Sequence, residues 1–178
     1  MILLFYYNFI INMIYNKMTE SINKINDELS KACIYGDLEK IDFLLSNGAN
    51  IHSKNIFENS PIILTSFTGF IEIIKLLILN GANIYDKDGY GNSCISCASI
   101  NGKVEIIKLL LSKGANINDK NKYNRTPIME AYKNKNIEVI KILKKWPLTM
   151  FILVLQELVV YHTLDCESFI DFYEYFGK

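Results

Sequence analysis

The chain has 178 residues, of which half are apolar, and its 19 Lys and Arg balance its 19 Asp and Glu. This length and apolar content suit one domain or one short repeat array with a sizeable core, and they exclude a wholly disordered chain. Domains that bind nucleic acid are normally strongly basic, so the balanced charge predicts that nucleic acid is not a partner.

Residues 1–26 form the first segment, which is apolar up to Tyr15 and then becomes polar. No basic residue precedes Lys17, so the charged start of a signal peptide is missing, and the apolar run is shorter than the roughly 20 residues that span a bilayer. We therefore do not expect a membrane protein, although association through residues 1–15 stays an alternative. Translation from Met18 would remove that stretch altogether.

A period of 33 residues organises residues 27–147. One series of glycines lies at positions 48, 81 and 114, each within a tetrad that ends in Gly-Ala-Asn. Three further series keep the same step, namely Gly36, Gly69 and Gly102; Glu39, Glu72, Glu105 and Glu138; and Ser60-Pro61, Ser93-Cys94 and Thr126-Pro127. Four series in one register indicate a repeat protein.

Each period predicts two short helices followed by an extended finger. The first helix, such as Pro61–Thr68, starts after a Ser or Thr N-cap and ends at a glycine turn. The second helix, such as Ile71–Leu79 or Val104–Ser112, exposes Glu–Lys pairs spaced i,i+3. Gly81 and Gly114 then end these helices in the left-handed conformation. Such a unit cannot bury its apolar face alone, so neighbouring units must stack.

The repeats resemble those of the ankyrin-repeat family. The matching strings are "NSPIILTSFTGFIEIIKLLILNGANI", "GNSCISCASINGKVEIIKLLLSKGANI" and "NRTPIMEAYKNKNIEVIKILKKWP", and a degenerate first unit reads "LSKACIYGDLEKIDFLLSNGANI". The resemblance implies an all-α ankyrin-repeat solenoid of about four helix pairs, with no catalysis. Ile63, Ser96 and Met129 stand where the family has His, so the hydrogen bonds that this His makes between units are expected to be absent. The last unit ends in Trp146-Pro147 where Gly-Ala is expected.

Residues 148–178 form the third segment, which begins with the apolar stretch "LTMFILVLQELVVY". We expect a helical C-terminal cap on the last repeat, because Gln156 and Glu157 interrupt a run already too short to span a bilayer. The tail also resembles, faintly, segments that follow ankyrin arrays in large DNA viruses, some of them F-box-like. That resemblance implies an alternative function, an adaptor whose tail recruits ubiquitin-ligase subunits. Frequent Asn, Ile, Lys and Tyr, all with AT-rich codons, would fit such a virus or a parasite with an AT-rich genome.

The sequence offers no constellation for catalysis, for a metal or for a cofactor. Cys94 and Cys97 are at most half of a zinc site, and their register places them in a first helix. His52 and His162 lie in different segments, so neither has a predicted catalytic partner. We therefore expect no enzyme, no metal and no cofactor, and we expect free thiols in the cytoplasm, which would be a host's if the protein is viral.

Two residue series in the predicted fingers are candidates for binding. Lysines recur at 54, 87 and 120 and aromatic residues at 57, 90 and 123, and stacking would turn each series into a stripe. The resemblance implies that finger tips and the exposed side of the first helices form a concave partner-binding surface. The matching candidates are Lys54, Phe57, Asn59, Phe67 and Thr68; Lys87, Tyr90, Asn92, Ile100 and Asn101; and Lys120, Tyr123, Arg125, Lys133 and Asn134. Aromatic residues and Arg are favoured interface anchors, so we expect a monomer that binds an acidic, partly apolar surface of another protein.

Overall fold

The computed structural model describes residues 2–147, with side-chain exposure from Tyr7 onward. The chain divides into two compact units, Met1–Val139 and Ile140–Lys178. Residues 2–147 contain no strand, only one isolated antiparallel bridge between Lys87 and Ser93, so the predicted all-α class is confirmed. The helices are α1 (Ile2–Tyr35), α2 (Leu38–Ser46), α3 (Pro61–Thr68), α4 (Ile71–Leu79), α5 (Cys94–Ile100), α6 (Val104–Ser112) and α7 (Pro127–Lys133), followed by α8 over residues 137–147.

The helices of the first unit stack as pairs, as the repeat predicts. The first helix of each pair packs on the first helix of the next, in the order α1, α3, α5 and α7. The second helices α2, α4 and α6 pack on one another in the same way, and within the pairs α1 contacts α2, α3 contacts α4 and α5 contacts α6. Contacts between neighbouring repeats therefore hold the array together, which is the principle of a solenoid.

The core follows the 33-residue register of the second helices. Two buried series run along it, Ile41, Ile74 and Ile107, and Leu44, Leu77 and Leu110. Burial of each such side chain contributes roughly 1.5–3 kcal/mol to folding. The opposite faces of α4 and α6 carry predicted Glu–Lys pairs, since the ammonium groups of Lys75 and Lys108 lie 2.8 Å from the carboxylates of Glu72 and Glu105, respectively. The same side-chain period thus separates core from solvent in each repeat.

The predicted helix starts are confirmed in position but not in their side-chain hydrogen bonds. Ser60 and Thr126 occupy the N-cap positions before Pro61 and Pro127, yet neither side chain accepts a hydrogen bond from its helix. The Ser60 hydroxyl is instead buried without a partner in the described residues. Asp37 does cap α2, because its carboxylate accepts from the Lys40 N–H at 3.0 Å.

The predicted left-handed glycines are confirmed at the ends of the second helices. Gly81 has φ of 89° and Gly114 has φ of 86°, values that favour glycine over residues with a Cβ. In the last unit, where Trp146-Pro147 replaces Gly-Ala, the helix continues through residue 147. The predicted cap over residues 148–178 lies outside the described residues.

The first helix runs without a break across residue 26, the predicted boundary between the first segment and the repeats. Every described side chain from Tyr7 to Lys24 is exposed, and burial begins with Leu29 near the repeats.

Glu28, near the C-terminal end of α1, joins this helix to α2. Hydrogen bonds from Lys40 and Lys31 hold the pKa of its carboxyl at about 2. Over the part of the chain that the structure describes, no helix has the length and apolar character needed to cross a membrane.

Candidate partner-binding surface

Three fingers, residues 47–60, 80–93 and 113–126, link the second helix of one repeat to the first helix of the next. One Asn or Asp builds each finger tip, and the three lie 33 residues apart: Asn55, Asp88 and Asn121. In each tip the side-chain oxygen accepts hydrogen bonds from the backbone N–H groups two and four residues further along, at 2.8–3.1 Å. This is an Asx turn, so one type of short side chain shapes every tip.

These turns present the aromatic series to solvent. The first N–H group bound in each tip belongs to Phe57, Tyr90 or Tyr123, and all three side chains are more than half exposed. The residue after each aromatic has a positive φ, which reverses the chain: 60° at Glu58, 78° at Gly91 and 58° at Asn124. The fingers therefore share one backbone conformation although their sequences differ.

Two side-chain hydrogen bonds tie the second finger to the third. The ammonium of Lys122 donates to the Gly89 carbonyl at 2.6 Å, and the Asn121 amide donates to the Asn92 side-chain oxygen at 2.8 Å. The second finger cannot offer the same bonds to the first. Gly89 stands in the register of Lys122 and has no side chain, and Asp88, in the register of Asn121, is a carboxylate without a donor when ionised.

A buried polar network supports these two fingers. The Asn121 amide also donates to the carboxylate of Glu130 on α7 at 2.8 Å, and the Asn92 amide donates to Asp88 at 2.9 Å. Each of the four side chains is at most 7% exposed. A buried polar network whose members are hydrogen-bonded rigidifies its surroundings, so this network holds both finger tips in place above α7.

Hydrogen bonds also join the helices of these repeats, although the family's His is absent. The side-chain amide of Asn136, just after α7, donates to the carbonyls of Ser99 and Ile100 at 2.7 and 2.9 Å. These carbonyls belong to the last turn of α5, where helical C=O groups have no partner within the helix. Asn136 therefore links two neighbouring repeats from a position outside the predicted motif.

A groove with a volume of about 340 Å³ opens at this network, and we call it the tyrosine groove. The rings of Tyr90 and Tyr123 are stacked, with centroids 6.4 Å apart and an interplanar angle of 28°. The guanidinium carbon of Arg125 lies 5.4 Å from the Tyr123 ring centroid, and the guanidinium is 3.7 Å from the Glu130 carboxylate. The lining residues are Tyr90, Asn92, Ile100, Asn121, Tyr123, Arg125, Glu130, Lys133 and Asn134.

Seven of the fifteen predicted surface residues meet in the tyrosine groove: Tyr90, Asn92, Ile100, Tyr123, Arg125, Lys133 and Asn134. Asn92 is only 6% exposed, so its side chain supports the groove from below rather than facing solvent. The remaining candidates lie elsewhere: Lys54, Phe57 and Asn59 on the first finger, Phe67 and Thr68 on α3, Lys87 on the second finger, Asn101 after α5 and Lys120 on the third finger.

The predicted lysine and aromatic stripes are not uniform. The ammonium of Lys87 lies 3.8 Å from the Asp119 carboxylate, whereas Lys54 and Lys120 are exposed and form no ion pair with another described residue. Within the described chain no ring contact joins Phe57 to Tyr90. The contacts made by the lysines and by the aromatic residues therefore differ from one finger to the next.

The cysteines of α5 are structural. Cys94 and Cys97 are buried, and burial raises the pKa of Cys94 to about 12 and that of Cys97 well above its usual value. A protonated buried thiol is a poor nucleophile and a poor metal ligand. Among residues 2–147 there is no group of three or more His, Cys, Asp or Glu placed to hold a metal ion.

The Asx series and Glu130 support the tyrosine groove, and none of these residues is among the binding candidates predicted from the sequence. Asn55, Asp88 and Asn121 keep the 33-residue step, so register alone could have found them. Glu130 could not be found in this way, because its register holds the apolar Leu64 and Cys97 in the preceding repeats. Its role depends on a hydrogen bond from the neighbouring finger.

Two comparisons with known proteins agree with this architecture. The family model described as ankyrin repeats (3 copies) matches residues 29–121 and again residues 62–146, together more than half of the chain. The chain is also 40% identical over 48 residues to Ankyrin repeat-containing protein YIL001W from Saccharomyces cerevisiae, a match that covers 27% of this chain and 9% of the yeast protein. Ankyrin repeats are protein-interaction modules and typically not catalysts. The chain belongs to the ankyrin-repeat family.

Proposed function

We propose that this chain binds an acidic, partly apolar segment of another protein in the tyrosine groove. The observation that carries the proposal is the stacked pair Tyr90 and Tyr123 with Arg125 against it. Aromatic and Arg side chains dominate the binding energy of protein interfaces when they cluster around a pocket. The buried side chains of Asp88 and Asn121 accept hydrogen bonds from the backbone N–H groups of these three residues, so the backbone of the site is already ordered and little backbone entropy would be lost on binding.

The charges around the groove support an acidic partner. Lys133 lines the groove, is exposed and forms no ion pair with another described residue. The buried carboxylates of Asp88 and Glu130 accept hydrogen bonds from Asn92 and Asn121, and Glu130 also lies 3.7 Å from the Arg125 guanidinium, so both already have partners inside the protein. An exposed cation beside aromatic rings suits a ligand that offers a carboxylate next to an apolar side chain.

The test is capture of binding proteins by the full chain and by the variant Tyr90→Ala/Tyr123→Ala, compared by quantitative mass spectrometry. We expect the variant to lose the proteins that the native chain captures, by about tenfold or more, because truncation of interface aromatic anchors commonly costs 2 kcal/mol or more. Tyr85→Ala is the matched control, since Tyr85 is exposed on the second finger but outside the tyrosine groove.

Two results would count against this function. Full retention of the captured proteins by the double variant would remove the groove from the interaction. Equal loss with Tyr85→Ala would point to a general effect of exposed tyrosines. Circular dichroism checks that the double variant stays folded. A second variant, Lys133→Glu, changes an exposed residue and is expected to weaken binding of an acidic partner through charge alone.

The alternatives to this proposal concern other parts of the chain. The adaptor function rests on residues 148–178, which lie outside the described residues, and comparison of the full chain with residues 2–147 in the same capture would test it. Membrane association would rest on the exposed apolar start of α1. Cytoplasmic location, a monomeric state and origin in a large DNA virus stay hypotheses, and the yeast relative does not support the viral origin.

A further inference from the structure

A second groove, with a volume of about 470 Å³, lies between α2 and α4, and we call it the outer groove. It shares no lining residue with the tyrosine groove. Its apolar lining comes from Leu38, Leu76 and Leu79, and its polar lining from Glu39, Asp42, Glu72 and Lys75. Three carboxylates and one ammonium give it a net negative charge, in a chain whose overall charge is zero.

The negative charge arises because α2 departs from the pattern of the other second helices. Asp42 stands in a register that otherwise holds Lys75, Lys108 and Lys141. The lysine of α4 neutralises Glu72 at 2.8 Å. Glu39 has no such lysine one turn away, and neither Glu39 nor Asp42 forms an ion pair with any described residue. Two carboxylates of the outer groove are therefore without a counter-charge.

The apolar part of the outer groove departs from the repeat pattern as well. Leu79 is 84% exposed at the end of α4, where α2 has Ser46 and α6 has Ser112. Leu38 is also exposed at the start of α2. An exposed leucine contributes nothing to burial in the free chain, whereas beside a groove it offers apolar area to a ligand.

We propose that the outer groove binds a basic, leucine-containing segment of another protein, with a Lys or Arg side chain between Glu39 and Asp42 and an apolar side chain on Leu79. The unpaired carboxylates favour a cationic side chain in the ligand because the charges are complementary, and the exposed leucines favour an apolar side chain beside it. The inference does not rest on the proposed function, because the two grooves are lined by different helices. A chain with both surfaces would hold an acidic and a basic partner at once.

The test uses a fluorescent synthetic peptide of about four helical turns, with Lys and Leu at helical spacing, and a control peptide in which every Lys is Glu. Binding to the full chain is followed by fluorescence anisotropy. The variant is Asp42→Lys/Leu79→Ser, whose new residues are those that the sister repeats carry in the same registers, so the fold is expected to tolerate them. Tyr90→Ala/Tyr123→Ala is the control for the tyrosine groove.

We expect the native chain to bind the Lys/Leu peptide at least about tenfold more tightly than the Glu/Leu peptide, and the outer-groove variant to lose about tenfold in affinity. The tyrosine-groove variant is expected to bind the Lys/Leu peptide as the native chain does. Equal affinity of the native chain and the outer-groove variant, or loss only in the tyrosine-groove variant, would overturn the proposal. So would a dimer of the free chain that the outer-groove variant dissociates, since a second copy would then be the occupant.

Discussion

Single residues in the fingers show how an imperfect repeat keeps one backbone shape. The same left-handed position is filled by Glu58, Gly91 and Asn124. Asn tolerates this conformation and glycine adopts it freely, whereas a glutamate there costs roughly 1–2 kcal/mol. The first finger therefore carries strain that the second avoids, and the Asx turn at Asn55 holds it in place.

We expect Glu58→Gly to raise the free energy of unfolding by about 0.5–1 kcal/mol, since relief of the left-handed strain exceeds the extra entropy of an unfolded glycine. The matched control is Gly91→Ala, which is expected to lower it by about 1–2 kcal/mol. An added Cβ at Gly91 would also lie 3.2 Å from the backbone nitrogen of Lys122. Urea denaturation measures both changes, and a destabilising Glu58→Gly would contradict the assignment of strain.

Among the helical elements, the starts differ in how their side chains are used. Asp37 accepts a hydrogen bond from the first turn of α2, whereas Ser60 leaves its hydroxyl buried before α3. Both residue types favour N-caps, so sequence preference alone ranks them alike. The two N-caps also differ in their surroundings, since Ser60 is fully buried and Asp37 is exposed.

We expect Asp37→Ala to lower the free energy of unfolding by about 1 kcal/mol, the usual loss of a capping side chain. Ser60→Ala is expected to be neutral or to raise it by up to about 1 kcal/mol, because a buried hydroxyl without a partner is unfavourable. Thermal and urea unfolding of the two variants measure these changes in the free energy of unfolding. A loss of more than about 1 kcal/mol in Ser60→Ala would mean that the hydroxyl is hydrogen-bonded in solution.

At the scale of the molecule, contacts between neighbouring repeats carry both stability and the binding surface. The second and third fingers share hydrogen bonds, and the first finger shares none of this kind with the second, because Gly89 and Asp88 cannot donate them. Substitutions in the second and third fingers are therefore expected to be energetically coupled through the polar network. Substitutions at equivalent positions of fingers that share no such bonds are expected to be independent.

A double-mutant cycle tests this difference. Asn92→Ala and Asn121→Ala remove the two partners of one 2.8 Å hydrogen bond, so their effects on unfolding are expected to be non-additive by about 1 kcal/mol. Asn55→Ala and Asn121→Ala alter the same register in the first and third fingers and are expected to add within about 0.5 kcal/mol. Strong coupling in the second pair, measured by urea denaturation, would show that the fingers act as one cooperative unit.

The fold and part of the surface could be predicted from the sequence because the repeat encodes them locally. The 33-residue step, the Ser/Thr-Pro starts and the glycine ends place α3, α4 and α6 at their observed residues, since each boundary depends on a few neighbouring residues. The side-chain contacts between neighbouring repeats could not be predicted from the sequence. The burial of Asn92 and the presence of Glu130 in an otherwise apolar register depend on hydrogen-bond partners from the neighbouring repeat. The ring contact of Tyr90 with Tyr123, but not with Phe57, depends on how neighbouring fingers pack. No local sequence pattern encodes these contacts.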